Sequence, residues 1–160
     1  MKQSKTIAEK LLDKNKIEYI GYEYGSDKEE FMDGASVADA IGKPYNMVFK
    51  TLVCHGPKGN CVFVVPVDKE LDLKKAAVAS GQKYVEMINV KDILSTTGYI
   101  KGGCSPIAMK KLFPTFIDSS AQELEAMVFS AGKLGKQIEM SVQELVKITR
   151  ATLAQIIKDD

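Results

Sequence analysis

MVFKTLVCHGPKGNCVFVVPV, residues 47–67, contains two apolar runs separated by the turn-rich hexapeptide HGPKGN. We predict strands over Met47–Cys54 and Cys61–Val67, joined as a β-hairpin, because Gly, Pro and Asn favour turns between apolar runs. Alternate residues on both faces of the first strand are apolar, which is typical of a strand covered on two sides. The hairpin therefore supplies a central strand that other elements cover.

Lys50 interrupts this apolar strand in its middle. A buried, unpaired ammonium group is strongly destabilising, so the side chain must be paired, reach water or face a wet cavity. One interpretation is a lysine that extends its ammonium group to water from near the strand end. The other is a cation placed in a pocket to meet an anion or a polarised carbonyl. The position alone does not distinguish them.

The segments on both sides of the hairpin alternate between helices and strands. Apolar spacing, caps and Gly or Pro stops predict helices over Thr6–Lys14, Ser36–Ile41, Leu71–Ser80, Val90–Leu94 and from Ser141 onward. Further strands are predicted over Ile17–Tyr22, Ala126–Ser130 and Gln137–Met140. We therefore expect an α/β fold of the α+β type, with a mixed, largely antiparallel sheet surrounded by helices.

Length and composition limit the class of protein. The chain has 160 residues, 45% hydrophobic and 27% charged, which suits one domain spanning 1–160. Its 22 Lys and Arg against 21 Asp and Glu leave a net charge of +1, so a nucleic-acid partner would be met by a local basic patch. Three cysteines without framework spacing favour a reducing compartment. With no signal peptide and no apolar run of ~20 residues, we expect a cytoplasmic protein without a membrane partner.

The segment GYIKGGCSP, residues 98–106, is the second unusual stretch. Adjacent glycines allow the backbone to approach a ligand closely, and Ser105-Pro106 resembles an N-cap and first helical residue. We predict a short helix from there to Leu112, whose free amides would face an oxyanion or phosphate beside three lysines: Lys101, Lys110 and Lys111. An ordinary capped turn with a solvated basic helix remains the alternative.

Other candidate chemistry is weaker. Cys104 precedes the predicted helix, but a cysteine nucleophile usually needs a base, and the single histidine lies in the hairpin turn. Cys54, His55 and Cys61 lack a fourth ligand and CxxC spacing, so no metal site is expected. No catalytic-triad elbow, Walker motif or dinucleotide fingerprint occurs. The turn SAGKLGK, residues 130–136, could bind an anion through Lys133 and Lys136, or be an ordinary solvated turn.

Taken together, several segments resemble the YbaK family of freestanding aminoacyl-tRNA deacylases, the cysteinyl-tRNA(Pro) deacylases. They occur in family order over nearly the whole chain: KNKIEY at 14–19, FKTLV at 49–53, LDLKKAA at 71–77, VEM at 85–87, STTGYIKGGCSPIAMKKLFPTFID at 95–118 and SAGKLGKQIEM at 130–140. The Lys-Thr strand and the GGxSP loop are the most specific of these. The resemblance implies a mixed-strand, barrel-like fold that holds the acceptor end of a mischarged tRNA.

The resemblance also implies an activity. Prolyl-tRNA synthetase cannot fully reject cysteine, and a second site hydrolyses the error. In such families the substrate thiol attacks the ester carbonyl, so the protein supplies positioning and oxyanion stabilisation, with no cofactor or metal. Prolyl-tRNA synthetase is a candidate partner, and cysteinyl-tRNA(Cys) a further substrate. Alternatives are a deacylase for alanyl- or another small aminoacyl-tRNA, and a non-catalytic module that binds a tRNA end or nucleotide. The oligomeric state stays open.

The family pattern assigns roles to particular residues. It places the catalytic groups at Lys50, Gly102 and Gly103. It places substrate contacts at a larger set: Tyr24, Phe31, Thr51, Ser105, Pro106, Ser130 and Gln137.

Three departures from the family pattern stand out. Gln137 replaces the usual acid before Ile-Glu, SGGKRG becomes SAGKLG through Ala131 and Leu134, and the glycine of SPxG is Ala108. Loss of the acid removes a charge that could hold the substrate ammonium group, although an amide still accepts a hydrogen bond. We expect altered strength or selectivity rather than loss of function.

Overall fold

The computed structural model describes residues 5–24 and 33–159. The described helices are α1 (Ile7–Lys14), α2 (Gly34–Ile41), α3 (Leu73–Ser80), α4 (Val90–Thr97) and α5 (Val142–Thr149), with a short 3₁₀ helix at Ser119–Glu123. The described strands are β1 (Ile20–Glu23), β2 (Phe49–Gly56), β3 (Gly59–Pro66), β4 (Glu86–Met87), β5 (Thr115–Asp118), β6 (Ala126–Ser130), β7 (Lys136–Ser141) and β8 (Thr152–Ala154).

The strands form two sheets. The first has the order β4-β2-β3-β5-β8, in which β2 pairs antiparallel with β4 and β3, while β3–β5 and β5–β8 are parallel. The second has the order β1-β7-β6 and is antiparallel throughout. The predicted mixed, largely antiparallel arrangement is confirmed.

The two sheets meet at one point and do not close into a barrel. Val48 and Val128 form an isolated parallel bridge, with the Val128 amide donating to the Met47 carbonyl at 2.9 Å. Beyond that bridge, the described residues show no further ladder pair between β2 and β6. The expected barrel is therefore open on this side, because the two strands separate after Val48 and Val128.

The β2–β3 hairpin separates two apolar clusters. One face packs with α1, α5 and the second sheet, and includes Phe49, Val53, Val62 and Val64. The opposite face packs with α3 and includes Cys54, Cys61, Phe63 and Val65. The prediction of a strand covered on both faces is confirmed, and burial of these side chains is the main source of stability.

Most predicted helices form, with changes at their ends. The cap predicted at Ser141 is present, its hydroxyl accepting from the Glu144 amide, and Thr6, predicted as the first residue of α1, instead caps that helix by accepting from the Glu9 amide. α2 begins two residues before its predicted start, α3 begins after an Asp72 cap, and α4 continues to Thr97. The strand predicted over Ile17–Tyr22 is shifted to Ile20–Glu23.

The helix predicted from Ser105 to Leu112 is wrong, since this segment is a loop. Ala108 has a φ of +60°, a left-handed conformation that interrupts a helix. The Ile107 carbonyl, which a helix would pair with residue 111, instead accepts a 2.8 Å hydrogen bond from the buried Tyr99 hydroxyl. Tertiary contacts therefore override the Ser-Pro signal.

A buried ion pair joins α1 to the second sheet. Lys136 Nζ lies 2.7 Å from Glu9 Oε1, and the two side chains are 6% and 8% exposed. Burial acts to raise the pKa of Glu9, but hydrogen bonds from Lys136 and from the Thr6 amide outweigh it, so that pKa lies below its usual value. The suggestion that Lys136 binds an external anion is therefore wrong, because this cation is buried and paired.

Candidate active site

A cavity of about 650 Å³ occupies the opening between the two sheets. It lies where β2 and β6 separate after their bridge, so that Lys50 and Ser130 each lie two residues beyond a bridged valine. The predicted residues that line it are Lys50, Thr51, Gly102, Ser130 and Gln137. The structure thus brings together residues from three distant segments of the chain.

Lys50 is half-buried in the wall of this cavity. β4 pairs with β2 at Cys54 and His55, and no described strand pairs with the same edge at Lys50. Lys50 lines the cavity beside this unpaired edge of β2. Within the described ranges, Lys50 Nζ has no hydrogen-bond or ion-pair partner. The placement agrees with a cation facing a pocket.

Thr51 and Ser130, which both carry hydroxyl groups, line the cavity. Thr51 Oγ1 is buried and has no hydrogen-bond partner in the described parts of the chain. Ser130 Oγ accepts a 3.1 Å hydrogen bond from the Gly132 amide. A buried hydroxyl without a partner is unfavourable, and because water does not reach Thr51 Oγ1, this oxygen meets a ligand in the cavity only after its side chain rotates.

The glycine loop reaches the cavity through Gly102 and not through its neighbour. Gly102 has a φ of +81°, is exposed and lines the cavity beside Lys101 and Cys104. The Gly103 amide is buried and donates to the Ile100 carbonyl at 2.9 Å. Gly103 therefore lies outside the cavity lining, with its N–H already engaged.

Gln137 is buried at the cavity wall, where its Nε2 donates to the Tyr24 hydroxyl at 3.3 Å. The Tyr24 amide in turn donates to the Gly135 carbonyl at 3.0 Å. Tyr24 thus contacts a lining residue without lining the cavity itself. Through these two hydrogen bonds, Tyr24, the residue after β1, contacts both β7 and the turn that follows Ser130.

The remaining predicted residues lie elsewhere. Ser105 is fully buried within the glycine loop and does not line the cavity. Pro106 lines a second cavity of about 270 Å³, together with residues of α1 and α5. Phe31 lies outside the described residues, so its predicted contact stays a prediction.

The three cysteines are buried and form no disulfide. Burial raises the pKa of Cys54 to about 12 and also raises that of Cys104, so neither is a thiolate at neutral pH. Cys54 lies opposite Cys61 across the hairpin.

Within residues 5–24 and 33–159, no three His, Cys, Asp or Glu side chains are grouped to hold a metal ion. In the same ranges, no helix is long and apolar enough to cross a membrane.

Sequence reasoning missed part of the wall. Apolar residues from β4 and α4 form one side of the cavity: Met87, Ile88, Val90 and Ile93. Asp33, the N-cap of α2, contributes a carboxylate. Apolar side chains of a cavity wall follow the same pattern as core residues, so no local signal distinguishes them. Asp33 carried a capping signal, but its position in the same cavity wall as Lys50 depends on the tertiary fold.

Comparison with known proteins identifies the class. The family model described as the aminoacyl-tRNA editing domain matches residues 28–148. A curated relative, "Putative Cys-tRNA(Pro)/Cys-tRNA(Cys) deacylase EbsC" from Enterococcus faecalis, is 46% identical over 155 residues, covering 96% of this chain and 94% of the relative. The chain therefore belongs to the aminoacyl-tRNA editing domain family, which confirms the resemblance seen in its sequence.

Solved structures support the fold. One, titled "Crystal structure of a putative trans-editing enzyme for prolyl tRNA synthetase", has a TM-score of 0.82 at 20% identity, covering 98% of this chain and 100% of that one. A second, a hypothetical protein, has a TM-score of 0.85 at 21% identity over 96% of this chain and 100% of that one. At these identities the likeness establishes a shared fold.

Proposed function

We propose that this protein is a trans-editing deacylase that cleaves the ester of mischarged cysteinyl-tRNA(Pro). The observation that carries the proposal is the half-buried Lys50, which has no hydrogen bond or ion pair among the described residues and lines a cavity of about 650 Å³. A cavity of this size accommodates the aminoacyl group and the terminal nucleotide of a tRNA. The 46% identity to a relative named for this activity supports the same substrate.

The chemistry uses the substrate's own thiol. Its sulfur attacks the ester carbonyl carbon, the carbonyl oxygen becomes an oxyanion, and collapse breaks the bond to the ribose oxygen. The thiol proton ends on that ribose oxygen, releasing a cyclic thiolactone and free tRNA. No protein nucleophile is required, in agreement with the raised pKa of Cys104.

The wall residues take the positioning roles. Lys50 orients the ester and stabilises developing negative charge, because an ammonium group in a partly desolvated site interacts strongly with an oxyanion. The Gly102 backbone, which reaches the cavity, contributes to the same oxyanion. Ser130, and Thr51 after rotation of its side chain, supply hydroxyls that hold the aminoacyl group in the attacking geometry. Prolyl-tRNA synthetase supplies tRNA specificity by presenting the mischarged tRNA.

The decisive experiment follows ester loss from purified cysteinyl-tRNA(Pro) and alanyl-tRNA(Pro) with wild type, Lys50→Ala and Lys58→Ala. Lys58 is an exposed lysine in the turn of the same hairpin, so its variant controls for charge removal. We expect rapid loss of cysteine by wild type and Lys58→Ala, and at least a hundredfold slower loss by Lys50→Ala with an unchanged circular dichroism spectrum. Equal rates in all three proteins would overturn the role of Lys50.

The alanine arm tests the main alternative. Alanine has no thiol, so preference for alanyl-tRNA(Pro) would require a hydrolytic water in place of the substrate sulfur. Loss of neither ester, with or without prolyl-tRNA synthetase, would indicate a binding module and overturn the deacylase proposal.

A further inference from the structure

Asp33 provides a negative charge in the wall of a cavity that otherwise carries positive charge. The lining includes Lys50 and Lys101, and Asp33 is the single carboxylate among its described residues. Gln137, at the position where the family usually has an acid, is neutral. An α-aminoacyl ester brings a cationic ammonium group into this cavity, and that group requires an acceptor once water is displaced.

Asp33 is exposed at the cavity edge, and the backbone next to it packs closely. A Cβ on the adjacent Gly34 would lie 2.5 Å from Val67 Cγ1, so only glycine allows α2 to approach this closely. The Val67 amide donates to the Val48 carbonyl at 2.9 Å, at the bridge between the sheets. The start of α2, which Asp33 caps, therefore lies next to the segment that leads directly to Lys50.

The carboxylate is charged and has acceptor capacity left. Asp33 Oδ1 accepts from the Ser36 amide at 2.8 Å, and this hydrogen bond keeps the pKa of Asp33 below its usual value. Two carboxylate oxygens offer about four lone-pair sites, so capping α2 does not exhaust them. Asp33 and Lys50, both described, line the same cavity and form no ion pair with each other.

We propose that Asp33 binds the α-ammonium group of the aminoacyl ester while Lys50 holds its carbonyl end. The inference rests on the proposed deacylase function and adds a specificity rule to it. Substrates with a free amino group are accepted, whereas N-blocked esters, including peptidyl-tRNA, leave the carboxylate unpaired and are disfavoured.

Asp33→Asn isolates the charge, because asparagine caps a helix about as well as aspartate. Asp39→Asn on the same helix is the matched control, since Asp39 bonds to Tyr45 outside the cavity lining. Initial rates are measured on cysteinyl-tRNA(Pro) and on its N-acetyl derivative. We expect Asp33→Asn to lower kcat/KM at least tenfold on the free-amine substrate and less than twofold on the acetylated one. Asp39→Asn should change neither.

Binding supplies a readout that does not depend on turnover. The 3′-amide analogue of cysteinyl-adenosine cannot be cleaved as an ester, and its affinity is measured by calorimetry. We expect Asp33→Asn to weaken binding at least tenfold. Equal affinity for wild type and Asp33→Asn, no binding by wild type, or an equal rate loss on both esters would overturn the inference. If wild type cleaves the ester and Asp33→Asn matches it on both substrates, only this inference fails. If wild type cleaves nothing, the deacylase proposal fails.

Discussion

The ring of Tyr99 packs directly against the backbone of Gly132, and a Cβ on Gly132 would lie 2.7 Å from Tyr99 Cε1. This contact joins the two glycine-containing loops beside the cavity. The Tyr99 hydroxyl also donates to the Ile107 carbonyl, so one side chain holds the 98–108 loop together and fixes it against the 130–135 turn. Both loops carry lining residues, Gly102 on one and Ser130 on the other.

Gly132→Ala should therefore separate these loops. The new methyl group would overlap the Tyr99 ring, and a φ of +97° adds backbone strain. We expect a loss of unfolding free energy of about 1–3 kcal/mol by overpacking and at least a tenfold lower kcat/KM. Urea denaturation and initial rates check this.

Gly59→Ala is the matched control for that substitution. Gly59 has a φ of +114°, but a methyl group added there would meet no neighbouring atom within 4 Å, so this variant reports strain without overlap. If both variants lose the same stability and both keep wild-type rates, the Tyr99 contact has no positioning role.

Local sequence signals predict the parts of this fold whose cause is local. The β2–β3 hairpin, the Ser141 cap and the β6–β7 turn follow from apolar periodicity, cap spacing and turn chemistry. β4, β5 and β8 contain two to four residues each, too few for periodicity, and exist because neighbouring strands pair with them. The failed helix after Ser105 has the same explanation, since Tyr99 captures a carbonyl that a helix would need.

The residues of the candidate site also fall into two groups: those that local sequence predicts and those that depend on the tertiary fold. Lys50 is detectable because a cation inside an apolar strand demands an explanation, and the glycine loop because adjacent glycines are costly elsewhere. Asp33 and the apolar wall are not detectable, because the opening between β2 and β6 is a property of two sheets meeting at one bridge.

Replacing Gln137 by aspartate should change amino-acid selectivity. The shorter, charged side chain would accept from Tyr24 instead of donating to it and would offer the substrate ammonium group a second carboxylate. We expect the ratio of kcat/KM for cysteinyl- to alanyl-tRNA(Pro) to change at least threefold. Gln137→Asn shortens the side chain without adding charge and separates the two effects. An unchanged ratio in Gln137→Asp would contradict the prediction.

Cys104→Ala should retain activity although Cys104 lines the cavity. Its thiol lies 3.7 Å from the Ile100 carbonyl in the same loop and 3.9 Å from Thr97 Oγ1 at the end of α4. Burial raises its pKa, so little thiolate exists at neutral pH. We expect kcat/KM within threefold of wild type, and a hundredfold loss would instead make Cys104 a nucleophile.

The Glu9–Lys136 pair should make stability depend on pH. Folding lowers the pKa of Glu9, so its contribution is complete above the usual glutamate range of about pH 4–5 and is lost as the pH falls through the lower folded-state pKa. Urea midpoints of wild type between about pH 6 and pH 3 should fall more steeply than those of Glu9→Gln.

Removing one partner of the same pair should be strongly destabilising. Lys136→Met leaves a buried carboxylate without its cation and should cost about 3–5 kcal/mol of unfolding free energy. The double variant Glu9→Leu/Lys136→Met removes both charges and should recover most of that loss. If the double variant is as unstable as Lys136→Met, the unpaired charge of Glu9 contributes little to the loss of unfolding free energy in Lys136→Met.

Lys101 should bind a phosphate group of the tRNA acceptor end. It is exposed at the cavity lining, next to Gly102 in the glycine loop. Lys101→Ala should lower kcat/KM for cysteinyl-tRNA(Pro) several-fold and reduce the slope of its logarithm against log salt concentration by about 0.7. Cysteinyl-adenosine, which has no phosphate, should be cleaved at the wild-type rate. Lys58→Ala, with its charge removed in the β2–β3 turn, should leave the slope unchanged. An equal loss on both substrates would instead place Lys101 in the chemistry of the ester, because only phosphate binding distinguishes tRNA from the nucleoside ester.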